Sequence, residues 1–406
     1  MSMLRFWKSK DGNFAIAVAL LAVPLILAAG TAVDLVGMSR AKSGVQAALD
    51  AASMAIALKV PSNLSHKELE DWGDAHFKAH LDASQFPGGV LPNLRYLGLT
   101  ADEDGTQHLR TTAAFAYDPA IADAFREGLH AMSGVDFELT ARITVRASDA
   151  ACVYALSRTA SRALEAAGNT TVTTDGCVFA SNSSAADAIY VNGSASLEAD
   201  CLQSSGGIQA DGGLTTDCAA NRTNAWPLPD PFAHLLEPLP PVLFSNPNKQ
   251  ATSVQPGRYR NLTLDGTKTL APGLYYIEGS LSIKGTISGT GVTVFMKDGG
   301  ITINGNASVA LSAPETGDYA GMVFMSAADN ASAQKFNGGG TTLLDGYLYF
   351  PKGDLTYSGN NSTSSTCLRM VADTITMTGS SVLKSDCKQE LGGREARVSG
   401  PLHFTR

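Results

Sequence analysis

The chain carries no cysteine before residue 152. It has little charge: Asp, Glu, Lys and Arg make up 17% of 406 residues, against about 25% in an ordinary soluble domain. It has no basic excess. The formal net charge is −8, so the positive face that nucleic acid demands is missing and a nucleic-acid partner is not expected. There is no CxxC or CxxH spacing, which disfavours a zinc ribbon or a thioredoxin-type redox site. There is no GxSxG, no P-loop and no glycine fingerprint set between a strand and a helix. Gly338, Gly339 and Gly340 follow no strand signal and read as a corner.

Charge is wholly absent from residues 12–33, GNFAIAVALLAVPLILAAGTAV. About 20 apolar residues suffice for a helix to cross the roughly 30 Å hydrocarbon core of a bilayer. Phe14, Leu20, Pro24, Leu27 and Val33 are the expected anchor side chains, and the lipid bilayer is the expected first partner. Arg5, Lys8 and Lys10 precede the run, opposed only by Asp11. Beyond it Arg40 and Lys42 are balanced by Asp34 and Asp50. The positive-inside rule then leaves residues 1–12 in the cytoplasm and exports the remainder. The run is longer than a signal-peptide core, and Ala28-Ala29-Gly30 lies inside it, so the segment is expected to be retained.

The helical pattern continues past the span. Val45, Ala48, Leu49, Ala52 and Ile56 recur at helical spacing, and Pro61 ends the run. The Gly12-Asn13 pair, Pro24, Ala32-Val33-Asp34, Gln46-Ala47-Ala48 and Asp50-Ala51-Ala52 together resemble the N-terminal segment of TadE/TadG-like proteins of the tight-adherence (Flp) pilus-assembly system. Gly12, Asn13, Asp34, Gln46 and Asp50 carry that motif. Processed pilin-like proteins have a Glu five residues after the cleavage-site Gly. Ala17 stands there, so the resemblance implies the unprocessed TadG-like branch. The DxSxS metal site of many TadG-like proteins is not found. The resemblance implies a bacterial inner-membrane, single-pass protein with a periplasmic or exported C-terminal region, and other Tad/Flp pilus-assembly proteins as partners.

Residues 61–150 read as a small α+β domain. Ser65 and Glu68 form a capping box for a helix to about residue 81. Strand-like runs follow at 94–99, 109–117 and 135–145, with a helix at 119–132. His76 and His80 share a helical face. Beyond Asp74 or Asp82 no third metal ligand is evident, so solvent-facing imidazoles are the expected reading.

From residue 151 the helical period disappears. Short alternating pairs such as Ile189/Val191, Leu281/Ile283 and Ile301/Ile303 recur between Gly, Asn, Ser and Thr corners. This texture suits a parallel β-helix, or solenoid, whose coils bury a core only by stacking. Cys152 and Cys177 are 25 residues apart, Cys201 and Cys218 17, and Cys367 and Cys387 20. One β-helix turn takes about 20 residues, and adjacent rungs lie about 4.8 Å apart, within disulfide reach. Three sequential disulfides between neighbouring rungs are therefore expected, in an oxidising compartment. Seven of the 17 prolines fall in residues 226–248, which read as a linker with a short helix over 231–236 that crosses the solenoid flank or covers an open end.

The expected fold class is multidomain and mostly β. A transmembrane helix at 13–36 lies in a TadG-like helical region, 12–60. The α+β domain follows, then a β-helix at 151–225, a proline-rich linker at 226–250 and more β-helix at 251–406. The expected function is a non-enzymatic, membrane-anchored exported component of Flp/Tad-type pilus assembly, a scaffold or surface adhesion element without cofactor or metal. The alternative is a tethered β-helix that binds or cleaves polysaccharide. Its candidate carboxylates, Asp298, Asp329, Asp345, Asp354 and Asp373, are scattered, three of them beside Gly, where Asp forms turns. The sequons at Asn182, Asn192, Asn261, Asn306 and Asn330 read as chance products of polar corners.

Overall fold

One helix, α1 (Asn13–Lys59), runs 47 residues, about 70 Å at 1.5 Å per residue. The computed structural model describes residues 13–60, 64–86, 91–102, 106–117, 135–246, 250–337, 342–361, 367–384 and 396–405. The helix expected over 119–132, the glycines at 338–340, Gly12 and Cys387 lie outside the described residues. In the second half of α1, Ala41, Val45, Ala48, Leu49, Ala52 and Ile56 are buried, one stripe at the helical period. Within that stripe Ser53 is fully buried; its hydroxyl lies 2.6 Å from the Leu49 carbonyl and 2.5 Å from Thr111 Oγ1.

The stripe packs on a helix and an antiparallel sheet. α2 (His66–Ala79) begins at the expected capping box: Ser65 Oγ accepts from the Glu68 N–H, and Glu68 Oε2 accepts from the Ser65 N–H at 2.8 Å. Gly73 lets α2 meet α1, since a Cβ there would lie 2.3 Å from Ile56 Cδ1. Strands β1 (Leu94–Ala101), β2 (Gln107–Tyr117) and β3 (Val135–Ala155) pair antiparallel in that order. α2 shields the β1 edge chemically. Asp74 accepts from the Leu94 N–H at 2.8 Å and Glu70 from the Tyr96 N–H at 3.0 Å, so two edge donors that would otherwise face solvent are satisfied.

The fourth strand is Arg397–Thr405. It pairs antiparallel with β3, Thr405 opposite Arg142 and Leu402 opposite Val145. This corrects the expectation that residues 251–406 are all β-helix: the last strand returns to the small sheet. The solenoid is thus an insertion between two neighbouring strands of the α+β unit.

β3 is long enough to serve both bodies. Its last residues, Val153 to Ala155, are a rung of the solenoid, between the strands Leu368–Lys384 and Val178–Ser181. Spatial order therefore departs from chain order. On the first face the rungs run Gly257–Tyr259, Gly273–Ile277, Val292–Met296, Met322–Ser326, then the first parts of Thr342–Asn361 and Leu368–Lys384, then β3, Val178–Ser181 and Cys201–Ser204. On the second face like residues stack on like: Leu264, Ile283, Ile303, Phe336, Tyr357, Met377, Ala166 and Val191 form one buried column. Each Leu, Ile, Phe, Met or Val of the column contributes about 1.5–3 kcal/mol of burial. Gln334, also fully buried on this face, has both ends of its amide matched, to the Ile301 N–H at 2.8 Å and the Ser332 carbonyl at 2.9 Å.

Two disulfides staple successive coils, Cys152–Cys177 and Cys201–Cys218, with Cα separations of 5.5 and 5.4 Å. The pairing of Cys367 with Cys387 falls outside the described residues.

The first-face strands are buried on both sides, as parallel strands covered by other elements must be. Their cover is the small domain and residues 226–246, which form a strap along the stack. Trp226 Nε1 donates to Gln107 at 3.1 Å, the Leu228 carbonyl accepts from Asn182 at 2.8 Å, and Phe232 packs edge-on against Tyr347 and Tyr349. Farther on, Glu237 pairs with Lys297 at 3.1 Å, and Phe244 bridges to Arg258 at the far end. The expected helix over 231–236 is only a turn at 231–234. Pro229 and Pro231 restrict the local backbone, and what holds the strap is tertiary contact.

Candidate functional site

The first half of α1 is a surface of one kind. Leu20, Leu21, Leu25, Ile26, Val33, Leu35 and Val36 are each more than half exposed. Pro24 is exposed too; the side chains of Phe14 and Leu27 lie outside the described residues. Among the described residues α1 is the one helix long and apolar enough to cross a membrane. Residues 13–36 span about 36 Å, enough for the hydrocarbon core. The interior proline is tolerated in such a helix. The exposed stretch ends where the folded body begins. Asp34 is buried beside Tyr117, and Gly37 makes room for the Tyr117 hydroxyl, which an added Cβ would strike at 2.2 Å.

Of the remaining motif residues, Gln46 and Asp50 serve the packed half. Asn13 opens the described helix. Gln46 donates to Asp50 at 2.8 Å, one turn on, and reaches the Thr140 carbonyl of β3 at 3.4 Å. That side-chain contact ties the helix to the sheet, and the spacing of four residues made its helical half visible in the sequence.

The strap leaves a cleft of about 570 Å³ between itself, the loop end of the small sheet and a solenoid corner. Asp230, Asp373, Arg158 and Lys352 line it. Burial pushes the Asp230 carboxyl above the ordinary aspartate value. Tyr349 opposes that shift by donating to it at 2.6 Å, as does the Phe232 N–H at 2.9 Å. Burial likewise raises the Asp373 carboxyl, which Lys352 partly counters and Asp354 reinforces. Burial lowers the Arg158 guanidinium; its Nη2 lies 3.5 Å from the Val60 carbonyl. The cleft thus gathers groups of both signs, a set suited to hydrogen-bonding a polar ligand. Asp230 and Arg158 carried no sequence signal, because the strap that assembles them reads as linker.

Glu237 also lines the cleft, but the other carboxylates singled out in the sequence do not. Asp345 accepts from the Cys367 N–H at 2.9 Å, Asp354 from Thr374 at 2.6 Å, and Asp329 lies 3.7 Å from Lys297 on the surface. Of the paired histidines, His80 has its Nδ1 2.8 Å from the His76 carbonyl, and the rings stack at 6.4 Å. Among the described residues no group of three His, Cys, Asp or Glu is placed to hold a metal ion. Asn182 and Asn330 are buried and bonded inward, which removes them as glycan acceptors in the folded chain.

A family model, TadE/G-like Flp pilus assembly, matches residues 12–57. That span coincides with α1. No curated protein and no solved structure matches the chain.

Proposed function

We propose that this chain is a membrane-anchored, non-enzymatic component of Flp/Tad-type pilus assembly. Its α+β unit and solenoid stand on the exported side as a scaffold or surface adhesion element. One observation carries the reading: a single helix, matched over 12–57 by the TadE/G-like family model, has an exposed apolar first half and a second half buried in a folded body. The positive-inside rule supports export of that body, and two disulfides fit an oxidising compartment. Other pilus-assembly proteins and the bilayer are the proposed partners. The test is deletion of the gene and rescue with full-length chain or with Leu20→Lys/Leu25→Lys. Pilus assembly is lost on deletion and restored only by the anchored chain. Pili of normal number and length without the protein reject the proposal.

A second reading, a tethered β-helix acting on or binding polysaccharide, is favoured by the cleft alone. Two of its carboxyls, Asp230 and Asp373, are held above their usual range beside Arg158 and Lys352. Titrating the solubilised full chain with cell-envelope polysaccharide tests it: a saturable heat signal lost in Asp373→Ala supports this reading, and no signal dismisses it.

A further inference from the structure

Away from α1 the most exposed large apolar side chains among the described residues are clustered on the strap. Leu236 is 84% exposed, Leu239 89%, Val242 90% and Leu243 79%. Folded domains seldom leave such residues together in water unless the patch serves an interaction.

The backbone there is set by proline. Pro238, Pro240 and Pro241 each fix φ near −65°. The residues before them, Glu237, Leu239 and Pro240, are pushed to extended or polyproline II values. Residues 235–241 accordingly have neither helix nor strand structure. A polyproline II helix has three residues per turn and rises about 3.1 Å per residue. Leu236 and Leu239 are spaced by three, so on such a helix they stand on one edge, about 9 Å apart, and the chain then bends at Val242 and Leu243. Pro238 lies one edge over and is buried against the body.

The segment is held taut from both ends. On one side Glu237 pairs with Lys297 at 3.1 Å and accepts from the Ala328 N–H at 3.0 Å. On the other the Pro241 carbonyl accepts from Arg258 at 3.3 Å, and Arg258 and Arg260 lie over the Phe244 ring. The ordering cost of a polyproline ligand is therefore met before any partner arrives.

We propose that residues 236–241 are a presented polyproline II ligand, with Val242 and Leu243 flanking it, for a partner protein whose groove is lined by aromatic side chains. Proline rings pack on aromatic faces, and the aliphatic edge fills pockets between them. The chemistry favours such a groove over lipid, because the ridge is narrow, rigid and flanked by the Glu237–Lys297 and Arg258–Glu278 ion pairs. A bilayer surface rewards a broad apolar face beside basic residues instead. The inference stands apart from the anchoring role, since it concerns a contact on the folded body.

The test uses full-length chain in its own cells, with a photo-crosslinking phenylalanine derivative at position 239 or 242 and a control at the buried position 264. The adduct is isolated and the crosslinked residues mapped. Expected is one partner protein, labelled at Trp, Tyr or Phe side chains that line a groove, with the label lost in Pro240→Ala/Pro241→Ala. That variant keeps both clamps, and an unchanged melting temperature shows that it folds. Adducts to phospholipid only, to a second copy of this chain, to a partner surface without aromatics, or no adduct at all would each overturn the proposal. A label undiminished by the double proline variant would also do so.

Discussion

At the scale of single residues, Asp230 and Tyr349 latch the strap to the solenoid. Removing the hydroxyl in Tyr349→Phe leaves a half-buried carboxylate one donor short, which costs about 1–3 kcal/mol; a fall in melting temperature at neutral pH checks it. The pH dependence has a definite sign. The folded-state pKa of Asp230 is raised by burial, so the folded chain holds that proton more tightly than the unfolded chain. Its effect on stability is most favourable below the ordinary aspartate value of about 3.9. Stability is then lost as pH rises through the interval up to the raised value. Asp230→Asn removes this dependence. Whatever its offset, the variant's melting temperature should gain on the wild type between pH 3 and pH 7, and a constant gap would refute the burial argument. Gly73 is a second such point. In Gly73→Val the added atoms would meet Ile56 at the α1–α2 contact, an overpacking worth about 1–3 kcal/mol. An unchanged denaturant midpoint would mean the helices part easily.

At the scale of elements, what the sequence revealed and what it hid divide by range. The apolar run of α1, the Ser65–Glu68 box and the Ile283/Ile303 alternation are local patterns, and local patterns were readable. The pairing of Arg397–Thr405 with β3 joins segments some 250 residues apart, and no short-range period records it. The order of rungs was hidden for the same reason: nothing near Met370 marks Val153 as its neighbour. The strap's path across the flank was readable, but its partners were not, because proline density is a linker signal, whereas Phe232, Asp230 and Glu237 order it through distant contacts. Cysteine spacing was informative because one coil sets both the sequence gap and the rung distance. Closing the 25-residue loop of Cys152–Cys177 stabilises by about 3 kcal/mol. The Cys152→Ser/Cys177→Ser chain should melt lower than wild type under oxidising conditions and near it in reductant. Equal melting in both conditions would mean that the bridge does not form.

At the scale of the whole molecule, a helix-on-sheet unit carries the exposed apolar half of α1 and holds a solenoid as an insertion. The two ends of that insertion leave from β3 and return to its neighbour, so the solenoid is fixed to the unit at both. The strap runs back along the first face, and its buried aromatics join strap, solenoid and small domain in one apolar cluster. Force or signal applied to the solenoid must therefore reach α1 through packed contacts and not through a flexible tether. The most direct measurement is the topology of the full chain in its native envelope. A tag is placed before residue 5, and protease is added from the exported side after the outer membrane is opened. The account predicts a tagged, carbonate-resistant fragment ending shortly after α1, with Cys152 and Cys177 recovered as a disulfide. A chain that washes off with carbonate, exposes its tag to the protease or yields both thiols reduced would contradict it.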